Sequence, residues 1–199
     1  MKELAKLKKV GLFFGSFNPI HTGHMIIASY MLEFTDLDDV WLVISPHNPL
    51  KEKNTLLADH HRYAMVQVAL EDNPRLRASN IEFKLPQPSY TIDTLVRMEE
   101  KYPDHQFVLI AGTDIFPTFH KWKNYEILLE NYKFYIYRRP GYDAGPYSGN
   151  PHVMIFEAPL MEISSSFIRQ AIRDGRDIRY FVPDKVYYYI NEMHFYETL

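Results

Sequence analysis

The sequence predicts an α/β fold, a doubly wound and mostly parallel sheet with helices on both faces, in one domain over residues 1–199. Three observations predict it. Apolar runs of strand length alternate with capped helical segments along nearly the whole chain, the pattern of strand–helix–strand crossovers. The clearest runs lack the polar alternation of a half-exposed strand, so both of their faces are covered. Clusters of Gly, Ser, Asn and Pro close several of those runs, as turns at one sheet edge require.

Val10 to Phe14 is the first such run, stopped by Gly15, Ser16, Asn18 and Pro19. Met25 to Leu32 is the first helix, with Thr22 as its expected N-cap. Asp39 to Ile44 reads as a second strand, and the stretch 45–54, with two prolines and two asparagines, as irregular. Asp59 is expected to cap a helix over His60 to Leu70 that Asn73-Pro74 ends. Leu76 to Phe83 alternates in part and reads as strand three. Thr91 opens a helix to Lys101, and Gln106 to Gly112 is the fourth strand. Helical segments follow at 113–119 and at Tyr125 to Glu130, then strands at Lys133 to Tyr137 and Val153 to Phe156, separated by an exposed loop. A helix opens near Ile163 and closes at Gly175. Pro183 fits the first position of a last helix, Asp184 to Phe195.

Composition narrows the function classes. The net charge is -3, from 22 basic and 25 acidic residues, and no basic stripe points to nucleic acid. No run of about 18 apolar residues is present to span a membrane. The Lys-rich start lacks the apolar core of a signal peptide. Zero cysteines exclude disulfides and thiolate metal sites and fit a cytoplasmic protein. The 15 Tyr and 13 Phe read as core and subunit-contact residues, which leaves a homo-oligomer open.

Two stretches carry chemistry. His21 and His24 stand three apart at the mouth of the first helix, on one face. The helix dipole and the unpaired N–H groups there favour an anion, most simply a phosphate chain. Zinc is disfavoured, because further ligands would be needed. The adjacent His60-His61 reads as surface. Ser164, Ser165 and Ser166 precede another helix, with Arg169 one turn in. They read equally as an N-cap beside a solvated Arg or as a second anion cradle. Right-handed crossovers bring the His21/His24 turn, the His47–Lys51 loop and Thr113–Asp114 to one carboxyl edge, where such sheets bind ligands.

Gly15-Ser16-Phe17-Asn18-Pro19-Ile20-His21-Thr22-Gly23-His24 resembles the signature of the nucleotidylyltransferase superfamily, G-[ST]-F-[DN]-P-x-H-x-G-H. Ile163 to Arg169 resembles its second motif, I-S-S-T-x-[IV]-R. Pro88 to Thr94, Ala111 to Asp114 with Phe119 and Trp122, Arg139-Pro140-Gly141 and Val182 to Val186 are similar to bacterial nicotinate-nucleotide adenylyltransferases over nearly the whole chain. Two departures stand out: Phe14 replaces the usual first glycine, and the stretch between His47 and Lys51 is longer than usual, with Asn48, Pro49 and Leu50 between them.

The resemblance implies a Rossmann-like nucleotidylyltransferase fold and adenylyl transfer from ATP to nicotinate mononucleotide, with Mg²⁺ held mainly through the ATP phosphates and no protein metal site. It implies His21, His24 and Arg169 as catalytic. Gly15, Ser16, Phe17, Gly23, Lys51, Gly112, Asp114, Ile163 and Ser164–Ser166 join them in binding ATP. Ser16, Tyr90, Thr91, Asp114 and Trp122 would bind the acceptor. On the residues alone Trp122 favours a core position, and Asp114 serves as helix cap or ribose ligand. The alternatives are an adenylyltransferase for another phosphate monoester (nicotinamide mononucleotide or phosphopantetheine) and a non-catalytic nucleotide-binding module.

Overall fold

The structure is a computed structural model that describes residues 7–46, 56–159 and 161–197. Its strands are β1 Lys8–Gly15, β2 Asp39–Ile44, β3 Leu76–Ser79, β4 His105–Gly112, β5 Lys133–Tyr137 and β6 Val153–Phe156. The helices are α1 Thr22–Phe34, α2 Asp59–Leu70, α3 Thr91–Lys101, α4 Phe116–Phe119, α5 Tyr125–Asn131, α6 Ser165–Arg173 and α7 Asp184–Glu192. The six strands form one sheet in the order β3-β2-β1-β4-β5-β6, and every pairing is parallel. The order reverses beside β1, between β2 and β4, which is where a doubly wound sheet opens its ligand crevice.

The two sheet faces account for the unalternating strands. On one face Phe13 and Leu42 pack with Met31, Met65, Ile168 and Val186, under α1, α2, α6 and α7. On the other, Leu12 and Val43 pack with Leu95, Phe119, Leu128 and Phe134, under α3, α4 and α5. Each residue of such a strand gains from burial whichever way it points, about 1.5–3 kcal/mol for a large aliphatic side chain.

Several expected boundaries move, each for a local reason. Strand three stops at Ser79, because Asn80 (φ -103, ψ 24) leaves the extended region and residues Ile81–Lys84 coil into a 3₁₀ turn that buries Glu82. The N-cap of α1 is His21, one residue before the expected Thr22. Ala58 caps α2, and Asp59 lies inside it, paired with Arg62 at 2.6 Å. Pro183 is the N-cap of α7 rather than its first residue, and α7 ends at Glu192. The chain beyond it turns back through left-handed backbone at His194 and Tyr196. His60 is exposed, as expected of the pair, while His61 is half-buried. Its ring packs 4.7 Å from Phe195, and Nδ1 lies 3.1 Å from the Tyr189 hydroxyl. The His47–Lys51 loop lies outside the described residues.

A buried cation organises the β1 and β2 ends. Arg62 is fully buried. Its guanidinium donates to the carbonyls of Leu57 (3.0 Å), Ser45 (2.9 Å), Pro46 (3.3 Å) and Ser16 and to the Asp59 carboxylate. The β1–α1 turn, the end of β2 and the start of α2 are thus joined by one planar fork, which only Arg provides. Truncation removes the donor that these carbonyls share and empties a fully buried position. Arg62→Ala should lower the unfolding free energy by about 3–5 kcal/mol, read from the chemical-denaturation midpoint at unchanged m-value. A loss below about 1 kcal/mol, the size of a surface substitution, would contradict this role.

Candidate active site

The turn after β1 is shaped by what its side chains cover. Phe17 is buried, at positive φ (+44°), with its ring against Gly15, so only its backbone faces the cleft. The His21 and His24 rings stack, with centroids 3.6 Å apart. Phe17 and Phe13 back His24 edge-on, at 5.0 and 6.1 Å. A Cβ on Gly23 would stand 3.1 Å from His21 Cε1 and Nδ1, so the ring lies flat on bare backbone there. His24 Nδ1 accepts from the His21 backbone N–H at 3.3 Å. That bond leaves the neutral ring's proton on Nε2, as an N–H donor.

His21 is electrostatically unlike the net positive charge that a phosphate ligand suggests. Burial, reinforced by the Arg139 guanidinium, pushes its pKa down to about 4. The ring is neutral at pH 7, with one nitrogen an N–H donor and the other an acceptor. The His21 side chain faces the backbone N–H of His24 in a capping box at the start of α1. Arg169 Nε is buried with no partner among the described residues, although buried polar atoms are almost always paired.

The second helix start meets this turn. Ser164 caps α6 by accepting from the Phe167 N–H at 3.1 Å. Ser165 Oγ donates to the Pro19 carbonyl at 2.9 Å. Arg169 Nη1 donates to the Asn18 carbonyl at 2.7 Å, and Nη2 to Ser166 Oγ at 3.2 Å. The Ile163 carbonyl approaches within 4.0 Å of the Gly23 Cβ position. The two helix starts therefore share one cleft. The three hydroxyls do not act alike, since Ser165 spends its proton on the turn and ties the two starts together.

Two residues missing from the expected site complete this junction. Tyr196 donates to Asn18 Oδ1 at 2.8 Å, beside the Leu57 N–H at 3.2 Å. Arg139 lies across the cleft, stacked 5.7 Å over the Tyr137 ring, with Nε 3.5 Å from Asp114 Oδ1. Gly112 makes that placement available, because a Cβ there would stand 2.3 Å from the Asp114 carboxylate. Arg139 had a sequence signal in the Arg-Pro-Gly stretch; Tyr196 had none.

Opposite the phosphate end, Tyr90 caps α3 in extended backbone and Thr91 is its first residue. Trp122 is only partly buried, resting on Phe119 at 5.2 Å, so the core position favoured by the residues alone is corrected. Lys123 bonds Asp93 at 2.8 and 2.9 Å and covers the Tyr90 ring at 5.0 Å, which fastens the Trp122 segment to the α3 start. Trp41 is buried in the core, as expected. Lys51 lies outside the described residues. Among the described residues no group of three or more His, Asp or Glu is placed to hold a metal ion, and no helix is long and apolar enough to cross a membrane.

A family model for cytidylyltransferase-like proteins matches residues 12–171, which take in both helix starts and Arg169. The chain belongs to the cytidylyltransferase-like family. Among its relatives is the probable nicotinate-nucleotide adenylyltransferase of Flavobacterium johnsoniae, 50% identical over 191 residues, 95% of this chain and 99% of that one. The protein of the same name from Bacteroides thetaiotaomicron is 43% identical, over 96% and 95% of the two chains. In fold the chain is similar to Plasmodium falciparum nicotinic acid mononucleotide adenylyltransferase complexed with NaAD, with TM-score 0.81, 22% identity and coverage of 96% and 98%.

In this family member, the His21 ring should titrate in the free protein with a midpoint near 4, followed by its NMR ring-proton shifts. Since the unfolded chain takes up that proton at about 6.5, stability should rise as pH climbs from 4 to 6.5 and then level off, less so in His21→Gln. A midpoint near 6.5 would remove the neutral-donor role.

Proposed function

We propose that this chain transfers the adenylyl group of ATP to nicotinate mononucleotide, giving nicotinate adenine dinucleotide and pyrophosphate in NAD biosynthesis. The observation that carries this is the seating of Arg169 and Ser165 on the Asn18 and Pro19 carbonyls, which brings two helix N-termini together. The names of relatives about 50% identical over nearly the full length support the same reading.

In the reaction an oxygen of the acceptor's phosphate forms a bond to the α-phosphorus. The bond from that phosphorus to the oxygen bridging to Pβ breaks, and its electron pair leaves with pyrophosphate. The acceptor brings its own nucleophile, so positioning and charge stabilisation are what the protein supplies. Neutral His21, together with His24, donates N–H to phosphate oxygens. Arg169 adds a charged fork, already oriented by Asn18 and Ser166. The backbone at Gly15, Ser16, Phe17 and Gly23, and at Ile163 to Ser166, lines the same chain of phosphates, and Lys51 is assigned to it as well. Arg139 offsets charge on the leaving side. Mg²⁺ would accompany ATP and offset phosphate charge, with no protein carboxylate cluster among the described residues assigned to it.

Asp114 and Gly112 face the ribose, with the carboxylate as acceptor. The N–H groups at Tyr90 and Thr91 head α3 and receive the pyridine carboxylate. Trp122 stacks on the ring, which is cationic and therefore attracted to an indole face. The substrates are soluble nucleotides, in keeping with a cytoplasmic enzyme.

Steady-state pyrophosphate release with Mg-ATP tests the reading. kcat/KM should be at least about 100-fold higher with nicotinate mononucleotide than with nicotinamide mononucleotide, because an amide sets an N–H donor against N–H donors. Equal values, or preference for phosphopantetheine, would overturn the assignment. His21→Ala should lower kcat about 10²–10³-fold with the fold intact. Full turnover in that variant would remove His21 from the chemistry.

A further inference from the structure

Glu82 is the buried ionisable side chain that the reaction leaves without a task. It is 3% exposed, in the 3₁₀ turn after β3. No cation pairs with it among the described residues. Its Oε1 accepts from Thr94 Oγ1 at 2.7 Å, its Oε2 from Ser89 Oγ at 3.0 Å, and Ser45 adds a third hydroxyl. Burial raises its pKa against the pull of those three donors.

The partners are not scattered. Ser89 immediately precedes Tyr90, and Thr94 lies in the first turn of α3. The Thr94 hydroxyl is also 3.2 Å from the Tyr90 carbonyl, and Gln87 Nε2 donates to the Glu82 carbonyl at 3.2 Å. The segment that presents Tyr90 and Thr91 is thus held from beneath by one carboxylate. Ser45 closes the connection to the other half of the cleft, since its backbone N–H donates to the Gly15 carbonyl at 2.9 Å. The two carboxyl oxygens of Glu82 take the Thr94 and Ser89 hydroxyls on opposite sides, so one side chain ties the segments together.

We propose that Glu82 is a positioning residue for acceptor recognition, fixing the α3 start so that its N–H groups meet the pyridine carboxylate, without touching substrate itself. This rests on the assignment of nicotinate mononucleotide above. It predicts an asymmetry that a purely structural role does not produce. Glu82→Ala should raise KM for nicotinate mononucleotide about tenfold or more and narrow the preference for acid over amide. KM for ATP should stay within about twofold, because the Ser45 backbone bond to Gly15 survives. Glu82→Gln, which keeps one acceptor oxygen, should recover part of the loss.

The test is steady-state kinetics with each substrate varied in turn, well below the melting temperature of every variant. Ser89→Ala removes one donor without emptying the pocket, and it decides the matter by the same two constants if Glu82→Ala does not fold. KM values that rise together, or a folded variant with both unchanged, would overturn the role of Glu82 alone. A wild-type chain that forms no dinucleotide from nicotinate mononucleotide would overturn the functional assignment instead, and this role with it.

Discussion

The closure of the polypeptide on Asn18 is the constraint on which the cleft depends. Asn18 is buried, and both of its oxygens are occupied by residues from the far end of the chain. Its carbonyl takes Arg169, 151 residues away, and its side-chain oxygen takes Tyr196, 178 residues away. Bringing such distant segments together carries a loop-closure cost that grows only slowly with length. The apolar packing of α6 and α7 on the sheet offsets it, through Ile168, Val186 and Ile190. The bonds at Asn18 then fix orientation. Without them only the Ser165 bond to the Pro19 carbonyl would join the two helix starts directly.

The electrostatics follow from that closure. Burial in the β1–α1 turn strips the His21 proton, so in the proposed reaction a phosphate would meet N–H donors and a few arginines. Hydrogen bonds set in place beforehand need no reorganisation as charge moves toward the leaving pyrophosphate. The arginines are themselves braced: Arg169 by Asn18 and Ser166, Arg139 by Asp114 and Tyr137, Arg62 by four carbonyls and Asp59. Each has a fixed direction in the free protein.

Much of this was legible in the sequence, where the signal was local. The runs at β1, β2 and β5, the turn before His21 and the serine cap before Arg169 declare themselves through residue type and spacing. The parallel sheet followed from strand–helix alternation, but its strand order comes from the structure. What escaped is long-range and polar. Arg62 sits in an ordinary amphipathic helix, and nothing adjacent says that its head reaches Ser16 and Ser45. Glu82 fell in what reads as an alternating strand, and its burial depends on hydroxyls from two other segments. Tyr196 was one tyrosine among 15. His61 gave no sign that Phe195 would return to cover it. Such contacts are decided by tertiary placement, which no short window of sequence contains.

The central claim is that two helix starts from opposite ends of the chain hold one triphosphate. Titration of pyrophosphate into ¹⁵N-labelled protein, followed by amide chemical shifts, tests it most directly. The amides of Gly23 and His24 and those of Ser165 and Ser166 should shift together and fit a single dissociation constant. Shifts confined to one helix start, or two sets with different constants, would contradict a shared grip.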